Sequence, residues 1–318
     1  MKAEARAVLI GVMFASVVIV NAAVGQSNRV LSLDGINDYV AVRRPVEGSF
    51  TLETWIKLNA PGVSNPTWDF CTPIYDCGFD YGNADFGLYV DGMTVRFWFC
   101  GNQYGSSATS SVPLTVGAWT HIAAVRDRES ATSLVYLNGT LVGTGGIGDH
   151  WDLNQQDTMW IGRSHWAAYN SNEKWLNANL DECRIWNRVL PQSEIQANMF
   201  RTLSGTETGL VTYLNFNANN FNDLTTNANN GTAYGSPSII LTNGFNTNLL
   251  ILAAEVGNVM GVQFGTAASQ WYSLQYNTNI ITTNWIDAGL RVLGDGGPRW
   301  FFDPAGFTPL KFYRVRQE

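Results

Sequence analysis

Asp181 and Glu182 stand side by side in NLDECRIWN, residues 179 to 187, a stretch that reads as a short β-strand ending on an aromatic. Two carboxyls are the usual requirement for glycoside hydrolysis, which holds them about 5–5.5 Å apart for retention and about 6.5–9.5 Å apart for inversion. Successive side chains of a strand point to opposite faces. Alternation therefore groups Asp181 with Cys183 and Ile185, and Leu180 with Glu182, Arg184 and Trp186. Adjacent carboxyls on opposite faces cannot act together on one substrate. Glu182 then reads as part of a polar network on the sheet, with Glu53, Lys57, Arg96 and Arg184 as charged neighbours across strands.

Other catalytic chemistry finds no support. No G-x-S-x-G occurs, and His121, His150 and His165 have no partners of the right kind nearby. His121, in AWTHIAAV, reads as a satisfied core residue. The four cysteines, Cys71, Cys77, Cys100 and Cys183, allow three disulfide connectivities. A local Cys71–Cys77 bridge in a Pro-containing loop would leave Cys100 and Cys183 to staple two distant strands. Zinc is the weaker reading, because no CxxC spacing occurs. Trp68, Trp151, Trp166, Tyr169 and Trp175 lie in polar stretches, where amphipathic rings can stack on sugars or on partner side chains.

The elements that must position these residues are strands. With 12 Trp, 31 Gly and only 14% charged residues among 318, the profile is one of packed strands joined by polar turns, an all-β chain. SFTLETWIKL alternates, with Phe50, Leu52, Thr54, Ile56 and Leu58 on one face and Thr51, Glu53, Trp55 and Lys57 on the other. VLSLDGINDYVAV reads as strand, turn, strand. Asp91-Gly92 and Asn138-Gly139 mark hairpins. Asn138-Gly139-Thr140 and Asn230-Gly231-Thr232 also match glycan acceptors, although the turn reading needs no glycan. LPQSEIQANMF is the one convincing helix beyond the leader, and the Asn-rich run after GLVTYLNFN reads as a long surface loop closing the domain.

Residues 1–25 read as a secretory signal: Lys2 and Arg6 precede an apolar run, and Ala23-Val24-Gly25 offers a small-x-small site, with cleavage after Gly25 or Ala23. A main domain is expected over 27–240 and a small β module over 245–318, where five or more strand-like segments crowd together. The net charge of −7 leaves no basic stripe for nucleic acid or anionic membranes, and no later segment is long and apolar enough to span a bilayer. The expected location is secreted, extracellular or at the cell surface.

In order and spacing, LSLDGINDYVAV, SFTLETWIKL, FGLYVDG, GAWTHIAAVRD, LVYLNG, WIGRS and LDECRIWNRVLPQSEI resemble the laminin-G-like jellyrolls of the concanavalin A-like lectin and glucanase superfamily over about residues 29–200, and GLVTYLNFN with the NANNGT run, similar to the same family's edge strand, extends the resemblance to about residue 235. The C-terminal part resembles, more loosely, small β modules that end many secreted bacterial proteins. The resemblance implies two antiparallel sheets packed face to face, and a function in carbohydrate binding, protein adhesion or, in distant relatives, glycoside hydrolysis or lysis. The glucanase motifs E-x-D-x-x-E and E-x-D-x-E are absent here. Laminarinase-type relatives join a late-strand Asp to the N-terminal turn through a structural calcium, which implies Asp34, Asn37 and Asp181 as ligands. The expectation is a noncatalytic protein that binds an extracellular glycan or a protein surface through loop aromatics. The competing readings are a hydrolase or lyase, and a structural or adhesion module with no small ligand.

Overall fold

The computed structural model describes residues 29–64, 71–77, 86–99, 106–147, 158–164, 174–199 and 201–241, together with strand segments between 252 and 317. The expected leader and its cleavage site lie outside these residues. The chain divides into two compact units, Gln26–Asn246 and one containing Thr247–Glu318.

The first unit is a sandwich of two antiparallel sheets. The eight-stranded sheet is built from β1 (Arg29–Asp34), β3 (Phe50–Leu58), β8 (Trp119–Asp127), β9 (Thr132–Leu137), β10 (Thr140–Gly146), β12 (Asn177–Trp186), β13 (Leu210–Leu214) and β15 (Ser238–Leu241). Its order is β10-β9-β8-β3-β12-β1-β15, with β13 also paired to β12. The seven-stranded sheet contains β2 (Tyr39–Arg43), β4 (Thr72–Asp76), β5 (Phe86–Asp91), β6 (Thr94–Phe99), β7 (Ser106–Thr109), β11 (Thr158–Ile161) and β14 (Thr232–Tyr234), in the order β14-β2-β11-β4-β5-β6-β7.

Alternation decides what lies between the sheets. Phe50, Leu52, Ile56 and Leu58 of β3 turn inward to meet Phe86 and Phe97 of the facing sheet, with Phe50 and Phe86 centroids 4.5 Å apart. Each such side chain is worth about 1.5–3 kcal/mol of apolar burial. Asn138 and Gly139, at φ 49° and 73°, form the two-residue turn between β9 and β10. Asn138 Oδ1 accepts the His121 N–H at 2.9 Å, so this asparagine serves the turn. β1 and β2 join different sheets, and the turn between them is held by Asp34 Oδ1, which accepts the Ile36 N–H at 2.8 Å. Gly35 there has φ +78°, and a Cβ would lie 2.8 Å from Asn177 Cβ, so both conformation and space require glycine.

The disulfide expectation is corrected. Cys71, Cys77 and Cys183 are buried and form no disulfide, and Cys100 lies outside the described residues. The segment read as a loop between Cys71 and Cys77 is strand β4. Six residues of extended chain span roughly 20 Å, far beyond the Cα separation of about 7 Å that a bridge tolerates. Cys183 points into the core, where its Sγ lies 3.4 Å from Thr54 Oγ1.

The Asn-rich run is organised by one carboxylate. Asp223 accepts N–H groups from Tyr213, Thr225 and Asn229 at 2.8–2.9 Å. Asn229 then grips β2, accepting the Arg43 N–H and donating to the Arg43 carbonyl. This loop delivers β14 to the edge of the seven-stranded sheet.

The outer face of the eight-stranded sheet is covered by α1 (Gln192–Asn198), whose Ile195 packs in a second apolar cluster with Trp186, Leu190 and Tyr213. In the second unit, β16 (Leu252–Val256), β17 (Val259–Gly265) and β20 (Pro298–Asp303) form one antiparallel sheet, and β18 (Trp271–Asn277), β19 (Ile286–Leu293) and β21 (Phe312–Gln317) form another. No helix among the described residues is long and apolar enough to cross a membrane.

Candidate functional site

The carboxylates singled out in the sequence meet beneath α1. Strand β12 pairs Asp181 with Trp55 and Arg184 with Glu53, so Glu182 and Cys183 together oppose Thr54. This is a β-bulge, and Glu182 takes φ +52° within it. Strict alternation fails at that residue, which corrects the expectation of opposite faces. Asp181, opposite Trp55, and Glu182 share the outer face, while Cys183 and Ile185 enter the core. Asp181 Oδ1 accepts the Glu182 N–H at 2.8 Å, which supports the bulge.

Glu182 Oε2 pairs with Arg184 and accepts the Tyr213 hydroxyl at 2.6 Å. Arg184 also donates to the carbonyls of Asn198 and Arg201, at the end of α1 and just beyond. Trp55 Nε1 donates to the Met199 carbonyl at 2.7 Å. Glu53 accepts Trp186 Nε1 at 2.7 Å and faces His121 Nε2 at 3.5 Å. Neither Lys57 nor Arg96 joins this network: Lys57 lies over the Trp119 ring, and Arg96 pairs with Asp91 on the other sheet.

Burial governs the titration of these groups. Desolvation raises Glu53 to about 7 against the pull of Arg184, and desolvation with the Arg184 charge lowers His121 to about 3. Cys183 is pushed up to about 12 by the same loss of solvent. Glu53, Glu182 and Arg184 are no more than 1% exposed, so no substrate reaches them. Their chemistry is to fasten α1 and the chain beyond it to the sheet.

The open chemistry lies on the outer face of the seven-stranded sheet. Val40 and Val42 turn inward, so Tyr39, Ala41 and Arg43 of β2 turn outward. The register sets Tyr234 opposite Tyr39 and Trp160 opposite Ala41. Tyr39 and Tyr234 stack at 4.7 Å with planes 6° apart, and Tyr234 is 45% exposed. On the other side of Tyr39, Arg163 lies 4.8 Å from its ring and 5.7 Å from Trp175, and Trp175 meets Tyr39 at 5.8 Å. Beside this ledge is a cleft of about 850 Å³, lined among others by Arg43, Thr158, Trp160, Asn227, Asn230 and Thr232.

Of the five aromatics proposed from sequence, Trp175 belongs to this ledge, and Trp68, Trp151, Trp166 and Tyr169 lie outside the described residues. Tyr39, Trp160, Arg163 and Tyr234 were not foreseen. The only signal for Tyr39, Trp160 and Tyr234 was their outward place in short alternating strands, since pairing of β2 with β11 and β14 unites positions remote in sequence, and Arg163 lies just beyond β11. The proposed calcium ligands do not converge. Asp34 and Asn37 share one turn, but Asp34 pairs with Asn177, four residues along β12 from Asp181, or roughly 13 Å of extended strand. Among the described residues no group of three His, Cys, Asp or Glu side chains is placed to hold a metal.

The family model of the concanavalin A-like lectin/glucanases superfamily matches residues 34–196. The chain belongs to that superfamily. A crystal structure of a Bacteroides ovatus protein proposed to bind carbohydrate is similar at 20% identity and a TM-score of 0.54, covering 69% of this chain and 61% of that one. The match thus spans about three fifths of that protein's length. The heptameric SAP-like pentraxin of Limulus polyphemus is similar at 16% identity and a TM-score of 0.48, covering 70% of this chain and 99% of the pentraxin. No curated protein matches the sequence. At these identities the likeness is one of fold, and function rests on the site.

Proposed function

We propose that the jellyroll is a noncatalytic binding module of a secreted protein, and that it recognises an extracellular carbohydrate on the outer face of its seven-stranded sheet. The observation that carries this reading is the stacked, solvent-facing pair Tyr39 and Tyr234 beside a cleft whose rim is Asn, Thr and Trp. Pyranose C–H faces pack on aromatic rings, and side-chain amides and hydroxyls match sugar hydroxyls as donors and acceptors. A second binding position near Trp175 would suit a chain of sugars. A hydrolase is disfavoured because Glu53 and Glu182 are sealed and already partnered. The apparent leader supports secretion, and the superfamily and the Bacteroides ovatus neighbour support carbohydrate as ligand.

The test is a glycan array with the wild-type protein and Tyr234→Ala. The expected result is binding to at least one glycan class that the variant loses while its melting temperature holds. Absence of binding by the wild type would overturn the reading and favour a structural or adhesion module. Release of reducing ends from any bound polysaccharide would overturn its noncatalytic half.

A further inference from the structure

The ledge is more basic than the molecule that carries it. The chain has a net charge of −7, yet among the described residues no Asp or Glu lines the cleft, and Arg43 does. Arg43 is exposed, and its backbone is fixed by two hydrogen bonds to the Asn229 side chain while its guanidinium has no carboxylate partner among the described residues. Arg163 is also without a carboxylate partner there. It is half-buried against Tyr39 and Trp175, and its Nε has no acceptor. A guanidinium held against aromatic faces keeps its in-plane N–H donors for another group, and their fork matches a carboxylate or sulfate. Among the described residues, two neighbouring carboxylates are withdrawn: Asp38 is buried and accepts the Ser236 N–H at 2.6 Å, and Asp76, opposite Trp160, is buried.

Two such cations share the ledge, one at each end of its reach. Arg43 stands four residues along β2 from Tyr39, roughly 13 Å in extended chain, and Arg163 touches the ring itself. In an acidic protein, cations with no carboxylate partner among the described residues at an aromatic ledge select a ligand of opposite charge, because each such guanidinium gains a charge-assisted hydrogen bond on binding. We infer that the ligand of this site is an anionic glycan, whose sugar ring stacks on the exposed Tyr234, backed by Tyr39, while its carboxylate or sulfate groups are held by Arg43 and Arg163. This rests on the carbohydrate reading of the site and names the ligand class.

The experiment uses matched pairs of polysaccharides on the full chain: polygalacturonate and its methyl ester, alginate and its carboxyl-reduced form, and chondroitin sulfate and its desulfated form, with arabinan and xylan as neutral glycans. The expected result is that the charged member of at least one pair binds about tenfold or more tighter than its neutral counterpart, the advantage of one charge-assisted contact. That preference should shrink as salt rises. Which pair responds separates carboxylate from sulfate. Arg43→Gln should lower the preference for the charged member several-fold, and its exposed side chain leaves folding intact. Equal binding within every bound pair, binding to arabinan or xylan alone, or an unchanged preference in both Arg43→Gln and Arg163→Gln would overturn the inference and leave the carbohydrate reading standing. No binding to any of the eight would overturn the carbohydrate reading itself.

Discussion

On the outside of the eight-stranded sheet Glu53, Glu182 and Arg184 lie at no more than 1% exposure beneath α1, whereas on the outside of the seven-stranded sheet Arg43 and Tyr234 face solvent. Both faces carry the polar half of alternating strands. What separates them is cover. Under α1 a charge must find a partner within the protein or lose its ionised form, and each group there has done one or the other: Arg184 is paired, and Glu53 and His121 are shifted towards neutrality. On the other sheet, the guanidinium groups of Arg43 and Arg163 have no carboxylate partners among the described residues. Charged residues on a jellyroll are therefore read by what lies over them before their spacing is read as catalysis.

The largest effect should come from breaking the sealed face. Arg184→Ala leaves Glu182 buried without its cation and removes two anchors of the segment after α1, so a loss of about 3–5 kcal/mol is expected in urea unfolding. Glycan binding on the opposite face should survive wherever the variant remains folded. Next comes pH. Glu53 is raised from its ordinary value of 4.5 to about 7, so the native state holds the extra proton between those values, and this group's contribution to stability falls as pH rises from 4.5 to 7, by about 3 kcal/mol. His121, lowered from 6.5 to about 3, acts oppositely, its contribution falling as pH drops from 6.5 to 3. The two slopes oppose each other between 4.5 and 6.5. Glu53→Gln should remove the first, becoming more stable relative to wild type as pH rises from 4.5 to 7; unfolding midpoints that track wild type at every pH would show that Glu53 is not sealed.

Tyr234→Ala sharpens the contrast from the open side: glycan affinity falls about tenfold, worth about 1.4 kcal/mol, with little change in melting temperature because the ring is exposed. Asp181→Ala should cost about 1 kcal/mol through loss of the hydrogen bond that supports the bulge, and the same loss with and without chelator would place its role in the backbone.

Much of this was legible in the sequence. The alternation of β3, the Asn138-Gly139 turn and the run of strand signals led to an all-β chain because apolar periodicity and turn chemistry are local, and the two-sheet jellyroll followed from the resemblance in motif order. The bulge was not, because a left-handed Glu182 has no residue-level signature: glycine would have announced it. The Cys71–Cys77 reading failed because proline suggested a loop where Pro73 sits in β4. The ledge was hidden for a different reason. Tyr39, Arg163, Trp175 and Tyr234 each occupy an unexceptional place, and only strand order brings them together.

Cys183 has a consequence for following the molecule in time. Its Sγ is enclosed between the sheets and its ionisation is pushed to about 12, so an alkylating reagent finds no thiolate while the sandwich is shut. Modification of this one atom must wait for the sheets to part, which makes its labelling rate a clock for opening of the jellyroll.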